Sequence, residues 1–365
     1  MNQQASIEHD WQEIVLRLGG TTALEASARQ TRAFLRPREV DNAVSLLRLI
    51  LAYCLGKSGL RATVAWATAI GLADISNVAL LYRLRQCGDW LAFLVGEALA
   101  SAAPKASRGR LIRVIDATTV PKAGGQEKRK NGLWRIHSAF DLPCERFGFF
   151  ELTDEQGGER LDRIPVIPGE IRIADRAYLQ PARIAAVLAA GADILVRASW
   201  KNARWVDGDG APVDLCAVLA NARNGLIDQS IHIARPSGPA LALRLVALKK
   251  PPAAAAEARR KARLAARKGG HRITRATLTA ADWVILVTSL APDAFSTEDI
   301  LALYRLRWRI ELGFKRLKSL IGLKGPPGTD ERSARPYILA HLLMLLLLEP
   351  LVDAFEDSPH WDAAA

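Results

Sequence analysis

The stretch "GEIRIADRAYLQPARIAAVLAAGADILVRA", Gly169 to Ala198, decides the fold. It opens with a short apolar run closing on Asp175, continues with helical periodicity from about Gln180 to Ala190, and ends in the buried run "ADILVRA". Just upstream, "LIRVID" ends at Asp116, and "LWRIHSAFDL" and "RFGFFELTD" read as two more strands. Three strands followed by strand, helix and strand suit a mixed α/β sheet.

Working outward, Glu39 to about Ala103 is helical throughout, in apolar stripes such as "NAVSLLRLILAYCL". Its segment "RATVAWATAIGLADISNVALLYRLRQC" has helix-turn-helix proportions, which would turn Asn77, Tyr82, Arg83 and Arg85 toward DNA. An ordinary helical hairpin has a turn of similar length. The basic linker "PKASRGR" then leads into the strands. On the other side, residues 198–290 fit the sheet poorly and read as an inserted subdomain of β character, with a basic helix and the strand-like "DWVILVTSL". Ser296 with Asp299 three residues on is a helix-start signature, and the helix it opens is expected to run to about Leu320.

The chain has 365 residues, half of them hydrophobic, so it can bury a sizeable core in two or three domains. Fifty Lys and Arg against 38 Asp and Glu give a net charge of +12, favouring a polyanionic partner such as nucleic acid, although an acidic membrane surface would also be served. Cys54, Cys87, Cys144 and Cys216 are scattered singly, which suits buried thiols rather than disulfides or a zinc site. The apolar run Ile338 to Leu348 falls short of the ~20 residues a membrane span needs. It reads as a core helix closed by Glu349-Pro350. The polar opening "MNQQASIEHDWQEIVLRL" is no secretory leader, and the expected compartment is the cytoplasm.

Within the last helix, "YRLRWRIELGFKRLKSLIG" carries one acid, Glu311, among six basic residues from Arg305 to Lys318. On a continuous helix at 100° per residue, Tyr304, Arg307, Glu311 and Lys318 share an arc of about 60°. Leu306, Ile310, Phe314 and Leu317 form an apolar stripe beside it. That arrangement presses the helix on a sheet and aims the lone carboxylate at a neighbour. Asp116 and Asp175, each closing an apolar strand, are the candidate neighbours. Three convergent carboxylates suit Mg²⁺ or Mn²⁺, and two such ions about 3.5 to 4 Å apart would support in-line attack on a phosphodiester. Each acid also has an ordinary reading: Asp116 before Thr118-Thr119 as a turn residue, Asp175 as a loop cap, Glu311 as the i+4 partner of Lys315.

The spacing Tyr304, two residues, Arg307, three, Glu311, six, Lys318 resembles the signature of the DDE transposases of the insertion sequence 4 family. "ADRAY" around Asp175 is similar to that family's second-Asp motif, with Ala177 in place of Gly, and "IDATTV" is like its first-Asp strand. The resemblance covers about residues 108 to 350. It implies an RNase H-like core interrupted by a β-rich insertion, with Asp116, Asp175 and Glu311 as catalytic metal ligands for two Mg²⁺ or Mn²⁺ ions. It also implies that Tyr304, Arg307 and Lys318 contact the DNA backbone at a transposon end. Some members pass through a DNA hairpin and stack a flipped base on an aromatic of the insertion; Trp283 is the candidate here, against the alternative of a core Trp at a strand start.

Two basic stretches remain. Glu257 to Arg275 has eight Lys or Arg and one acid, and Arg259, Arg260, Lys261 and Arg263 on its helical part would lie along double-stranded DNA. Lys128, Arg129 and Lys130 in the loop after Asp116 would touch the end or flanking DNA. His137 is read as structural.

The resulting organisation is a helical N-terminal DNA-binding domain (1–107), two parts of the catalytic core (108–197 and 291–356) around the insertion (198–290), and a tail (357–365). The expected activity is metal-dependent cleavage at terminal inverted repeats and strand transfer to target DNA, by a homodimer assembled on two DNA ends, without a membrane. The alternatives are a nuclease on the same fold and an inactive, domesticated DNA-binding protein.

Overall fold

The computed structural model describes residues 3–56, 58–101, 109–123, 132–201, 203–328 and 330–356. Six helices come first: α1 (Gln3–Arg17), α2 (Gly20–Gln30), α3 (Ala43–Leu55), α4 (Leu60–Ala69), α5 (Asn77–Gln86) and α6 (Gly88–Ser101). Side-chain caps open two of them, Asn42 accepting from Ser45 N–H and Ser76 from Ala79 N–H. α4 and α5 are joined by residues 70–76, a longer link than the roughly three or four residues of a helix-turn-helix, and Tyr82 is exposed on α5. Arg85, one of the residues the sequence turned toward DNA, has partners within the chain. It is paired with Asp330 at 2.8 Å and donates to Ser333 Oγ, tying α5 to the C-terminal helix.

The sheet begins with β1 (Ile112–Pro121), β2 (Leu133–Asp141) and β3 (Arg146–Asp154), then β4 (Ile171–Ala174), α7 (Pro181–Ala189) and β5 (Asp193–Arg197). This is the expected order. β1 runs five residues past Asp116, however, because β2 pairs with it as far as Pro121 opposite Leu133. Thr118 and Thr119, β-branched and suited to a pleated surface, therefore continue the strand instead of turning.

The segment that fitted the sheet poorly in fact extends it. β6 (Trp205–Val206), α8 (Leu215–Asn221), β7 (Leu226–Ile233), β8 (Leu241–Lys249), α9 (Pro252–Lys268), α10 (Arg275–Ala281) and β9 (Trp283–Thr288) follow, and the order is β3-β2-β1-β4-β5-β9-β8-β7-β6 in one nine-stranded sheet. The joint is the antiparallel pair of β5 and β9, with Val196 opposite Val287.

The expected single helix from Ser296 is three pieces. The Ser296–Asp299 capping box opens α11 (Thr297–Arg305) as anticipated. At Leu306 and Arg307 the bonding tightens, Arg307 N–H donating to Tyr304 and Arg309 N–H to Leu306. Then α12 (Trp308–Lys315) runs into a π turn, Arg316–Leu320. No Pro or Gly sits at the joint; the residue there is Arg307, whose guanidinium has two carboxylate partners described below. The C-terminal α13 (Glu331–Glu356) holds the Ile338–Leu348 run in the core as expected, yet it continues past Glu349-Pro350. An interior proline forfeits one main-chain bond and crowds the carbonyl four residues back, a local cost that does not end α13 here.

Two apolar clusters cover the two sheet faces. One joins Val114, Val120, Ile136, Ile171, Ile173 and Leu286 to the N-terminal helices, α13, and Ile310, Phe314 and Leu317. The other joins Ile115, Ala139, Ala174, Ile194 and Val196 to Ile184, Val187, Tyr178, Leu215 and Trp283. Helices therefore flank a mixed sheet on both sides, the RNase H-like arrangement expected.

Candidate active site

Asp116 lies opposite Ser138 of β2. On its other side β4 ends at Ala174, which faces Ile115, and the next residue is Asp175. The two carboxylates thus leave adjacent parallel strands at the same level, with backbones about 5 Å apart. Side-chain alternation aims both at the face that α12 covers, since Val114 precedes Asp116 by two, and Ile171 and Ile173 lead to Asp175. β5 adds a third position: Val196 faces Ala174, and Arg197 follows it. Asp116, Asp175 and Arg197 form a row where the parallel pairing of β1, β4 and β5 ends, and open α/β sheets bind ligands at such carboxyl ends.

Asp116 Oδ1 accepts from Ala117 N–H at 2.8 Å, and Oδ2 lies 3.5 Å from Arg307 Nη1. Burial pushes its carboxyl up to about 6; the Ala117 N–H and Arg307 oppose this, while Asp175 and Glu159 add to it. Asp175 Oδ1 accepts from Ala177 N–H at 2.6 Å and caps the one-turn 3₁₀ helix Arg176–Tyr178. The loop-cap reading of Asp175 therefore holds alongside its place in the row.

Glu311 comes from the facing helix. Its side chain is 57 % exposed, and Oε1 accepts from Arg307 Nη2 at 2.5 Å. Its i−4 neighbour Arg307, and not Lys315, is the partner. One guanidinium thus bridges Asp116 and Glu311. Tyr304, a turn earlier, has a buried hydroxyl with no hydrogen-bond partner among the described residues. Burial raises it above the ordinary tyrosine range, with Arg307 and Arg197 opposing and Asp175 adding. Lys318 is exposed on the π turn, so the four signature residues do not share the simple arc of an unbroken helix.

What docks α12 is Gly313. A Cβ there would stand 2.6 Å from the Phe147 ring, and Phe314 packs on the same ring with centroids 5.8 Å apart. The backbone of α12 thereby lies directly on β3.

As the side chains stand, no three acids, His or Cys among the described residues are gathered closely enough to hold an ion. The donor set nevertheless fits a hard divalent cation: carboxylate oxygens on adjacent strands, one of them raised by burial beside a second acid, which is the environment a cation stabilises. Asp116 and Asp175 could hold such an ion, and Glu311 could join by exchanging Arg307 for it.

A cleft of about 700 Å³ opens from Asp175, lined by Arg176, Arg197, Trp200, Lys250, Lys261 and Trp283 among others. Trp283 is only 4 % exposed and belongs to the core, with an edge on this cleft. α9 forms a wall of the cleft, with Lys261 and Arg263 exposed and Glu257 pairing with Arg260 and Lys261; Arg259 pairs with Asp282 at 3.4 Å. Lys128, Arg129 and Lys130 lie outside the described residues. His137 is buried and bonded to Thr153 Oγ1 at 2.9 Å, its ring lowered to about 4 by burial and by Arg163, Arg135 and Arg160. Sequence reasoning missed Arg197, Lys250 and Trp200. Arg197 carried the signal that exposed Asp175, an ionisable residue closing an apolar strand. Trp308, 47 % exposed beside Arg307, was also passed over.

Comparison with known proteins bears on this geometry. The model of the family described as "Transposase DDE domain" matches residues 107–347. The chain belongs to the DDE transposases. It is 36% identical over 362 residues to the protein InsL of insertion sequence element IS186A from Escherichia coli strain K12, covering 96% of each chain. It is also 36% identical over 363 residues, again 96% of each, to the transposase for insertion sequence element IS421 from Escherichia coli. As a DDE transposase it is an enzyme that acts on DNA and depends on divalent metal. Among the described residues no helix is long and apolar enough to cross a membrane.

Proposed function

We propose that this DDE transposase is of the insertion sequence 4 type, binds the terminal inverted repeats of its element in the cytoplasm, and cleaves and joins DNA with Asp116, Asp175 and Glu311 as catalytic triad. The observation that carries this reading is the bridge of Arg307 between Asp116 and Glu311. It brings the helix acid and the strand acid to one cation, beside Asp175. Two Mg²⁺ or Mn²⁺ ions held by the three carboxylates would supply an activated water or 3′-hydroxyl and stabilise the leaving oxygen.

The chain's own residues do the rest. Arg307, whose planar fork suits a phosphate as well as a carboxylate, turns to the scissile strand and frees Glu311. Tyr304, with its hydroxyl unpaired, and Lys318, at the open end of the helix, contact the backbone on either side of it. Lys261 and Arg263, with Arg259 and Arg260, line the DNA path along α9, and Lys128, Arg129 and Lys130 add flanking contacts. α4 and α5 would read the repeat. Two protomers on two ends form the working homodimer. Where excision runs through a hairpin, the cleft edge of Trp283 would receive the flipped base.

The test is cleavage and joining of a labelled element end with Mg²⁺ or Mn²⁺, wild type against Glu311→Gln. The reading expects both products to vanish with DNA binding retained; equal activity would overturn it. Cleavage without any joined product would favour the nuclease alternative.

A further inference from the structure

A fourth carboxylate stands beside the row of Asp116 and Asp175, on a loop that strand patterns pass over. Glu159 lies between β3 and β4, and its main chain is fastened to the turn after Asp175. Gln180 Nε2 donates to the Glu159 carbonyl at 2.8 Å and to the Ala177 carbonyl at 3.2 Å. Arg135 Nη1 holds the Gly157 carbonyl at 2.9 Å, and Arg163 Nε holds that of Gly158 at 3.2 Å. Further on, the fully buried Arg172 donates to the carbonyls of Leu161, Ile164 and Pro165. A loop fixed at so many main-chain points presents its side chain from a set place.

The carboxylate itself is held far less firmly than the main chain. Its partner is Arg135 Nε at 3.7 Å, beyond hydrogen-bond reach, and that Nε finds no hydrogen-bond partner among the described residues. An acid whose sole task was to neutralise Arg135 would close the gap. Instead Glu159 is raised by burial, opposed by Arg135 and raised further by the charge of Asp175.

A second observation is independent of the acids. Tyr178 is 1 % exposed, and its hydroxyl has no hydrogen-bond partner among the described residues. The carboxylates whose charges act on that hydroxyl are Asp116, Glu159 and Asp175. Buried hydroxyls are rarely left unpaired; Tyr178 ends the turn that Asp175 caps and that Gln180 ties to Glu159, so its hydroxyl is a donor available to an oxygen ligand beside those acids. Tyr178 packs in the cluster on the face opposite α12, and Arg135 points to that same face, sharing strand parity with Ala139. Glu311 approaches from the α12 side.

We propose that Glu159 is a fourth carboxylate of the divalent-cation site, entering from the sheet face opposite Glu311, and that the Tyr178 hydroxyl positions the oxygen ligands there. This rests on the reading of Asp116 and Asp175 as metal ligands. Glu159 supplies a further hard oxygen donor next to Asp175, and Tyr178 donates a hydrogen bond that fixes its direction.

The experiment is Mn²⁺ titration of the full chain, followed by the electron paramagnetic resonance of free Mn²⁺. Glu159→Gln is expected to weaken Mn²⁺ binding about 10- to 100-fold, and Tyr178→Phe about tenfold, the range for losing outer support of a metal site. The double variant Glu159→Gln/Arg135→Gln removes both halves of the ion pair and must bind as weakly as the single one; recovery of wild-type affinity would overturn the proposal, since the deficit would then come from the stranded arginine. Unchanged Mn²⁺ affinity in Glu159→Gln, with Asp175→Asn impaired, would also overturn it. If Asp175→Asn were equally without effect, the underlying metal-site reading would fall instead. A purely structural Tyr178 predicts that Tyr178→Phe melts higher and binds Mn²⁺ as wild type, an outcome that removes the positioning role.

Discussion

The strand half of the site and the helix half are built differently. Asp116, Asp175 and Arg197 are placed by strand register, with β1, β4 and β5 paired residue by residue up to the last positions before them. Tyr304, Arg307, Glu311 and Lys318 sit on a helix jointed at Arg307 and loosened by a π turn, and Glu311, itself exposed, is oriented by an ion pair with the half-buried Arg307. The sheet half is preorganised in the folded chain. The helix half is held by one exchangeable ion pair, and on the proposed reading its adjustment would be the exchange of that guanidinium for DNA phosphate and metal. Catalytic groups held on rigid elements and completed by a movable one are a common way to couple substrate binding to chemistry.

The comparison is broken most severely at the strand acids. Asp175→Asn should lower end joining about a thousandfold, the scale on which single catalytic groups count. Its fold should survive, because Asn retains the oxygen that accepts from Ala177 N–H; circular dichroism checks that part.

The rigidity of the sheet half has its own support. Arg172 and Glu170, both buried, pair at 2.6 Å, and Glu170 also meets Arg113, which is bonded to Asp141 at 2.8 Å. Arg172→Leu breaks the closer of the two ion pairs of Glu170 and leaves the carbonyls of Leu161, Ile164 and Pro165 without their donor, and should cost about 3–5 kcal/mol, read by urea unfolding. Gly313→Val acts on the helix half. The new side chain collides with Phe147 and lifts α12, so Glu311 is misplaced. Joining should fall about a hundredfold while stability drops by only about 1–3 kcal/mol.

The smallest effect concerns pH. Asp116 is raised by burial to about 6 from an ordinary 3.8, so its ionisation weakens the folded state. That favourable difference is fully present below pH 3.8, is lost as pH rises through 6, and leaves the free protein less stable above it. Asp116→Asn should then melt higher than wild type at pH 8, by about 1–2 kcal/mol after allowance for partial exposure, and equally at pH 3.5. An inactive variant that is more stable is what a strained functional carboxylate produces.

Much of the fold was legible because the strands of the first half alternate or run apolar and, β1 apart, end on or next to an ionisable residue. The pairing of β5 with β9 was not, since Val196 and Val287 are neighbours across the whole insertion and local periodicity carries no such information. The joint at Arg307 escaped notice for a related reason: neither Pro nor Gly marks it, and the residue there has a partner, Asp116, far away in sequence. Asp116, Asp175 and Glu311 could be proposed from position and spacing. Glu159 could not, because it sits in a loop whose course is set by Gln180, Arg135 and Arg172 rather than by any periodic pattern.

The most direct measurement replaces the working metal by Fe²⁺ in the complex of the full chain with its element end, and maps where hydroxyl radicals cut the polypeptide. The account predicts cuts clustered around Asp116, Asp175 and Glu311, with those near Glu311 requiring DNA. Cuts around the two aspartates with none near Glu311, or a cluster elsewhere on the chain, would contradict it.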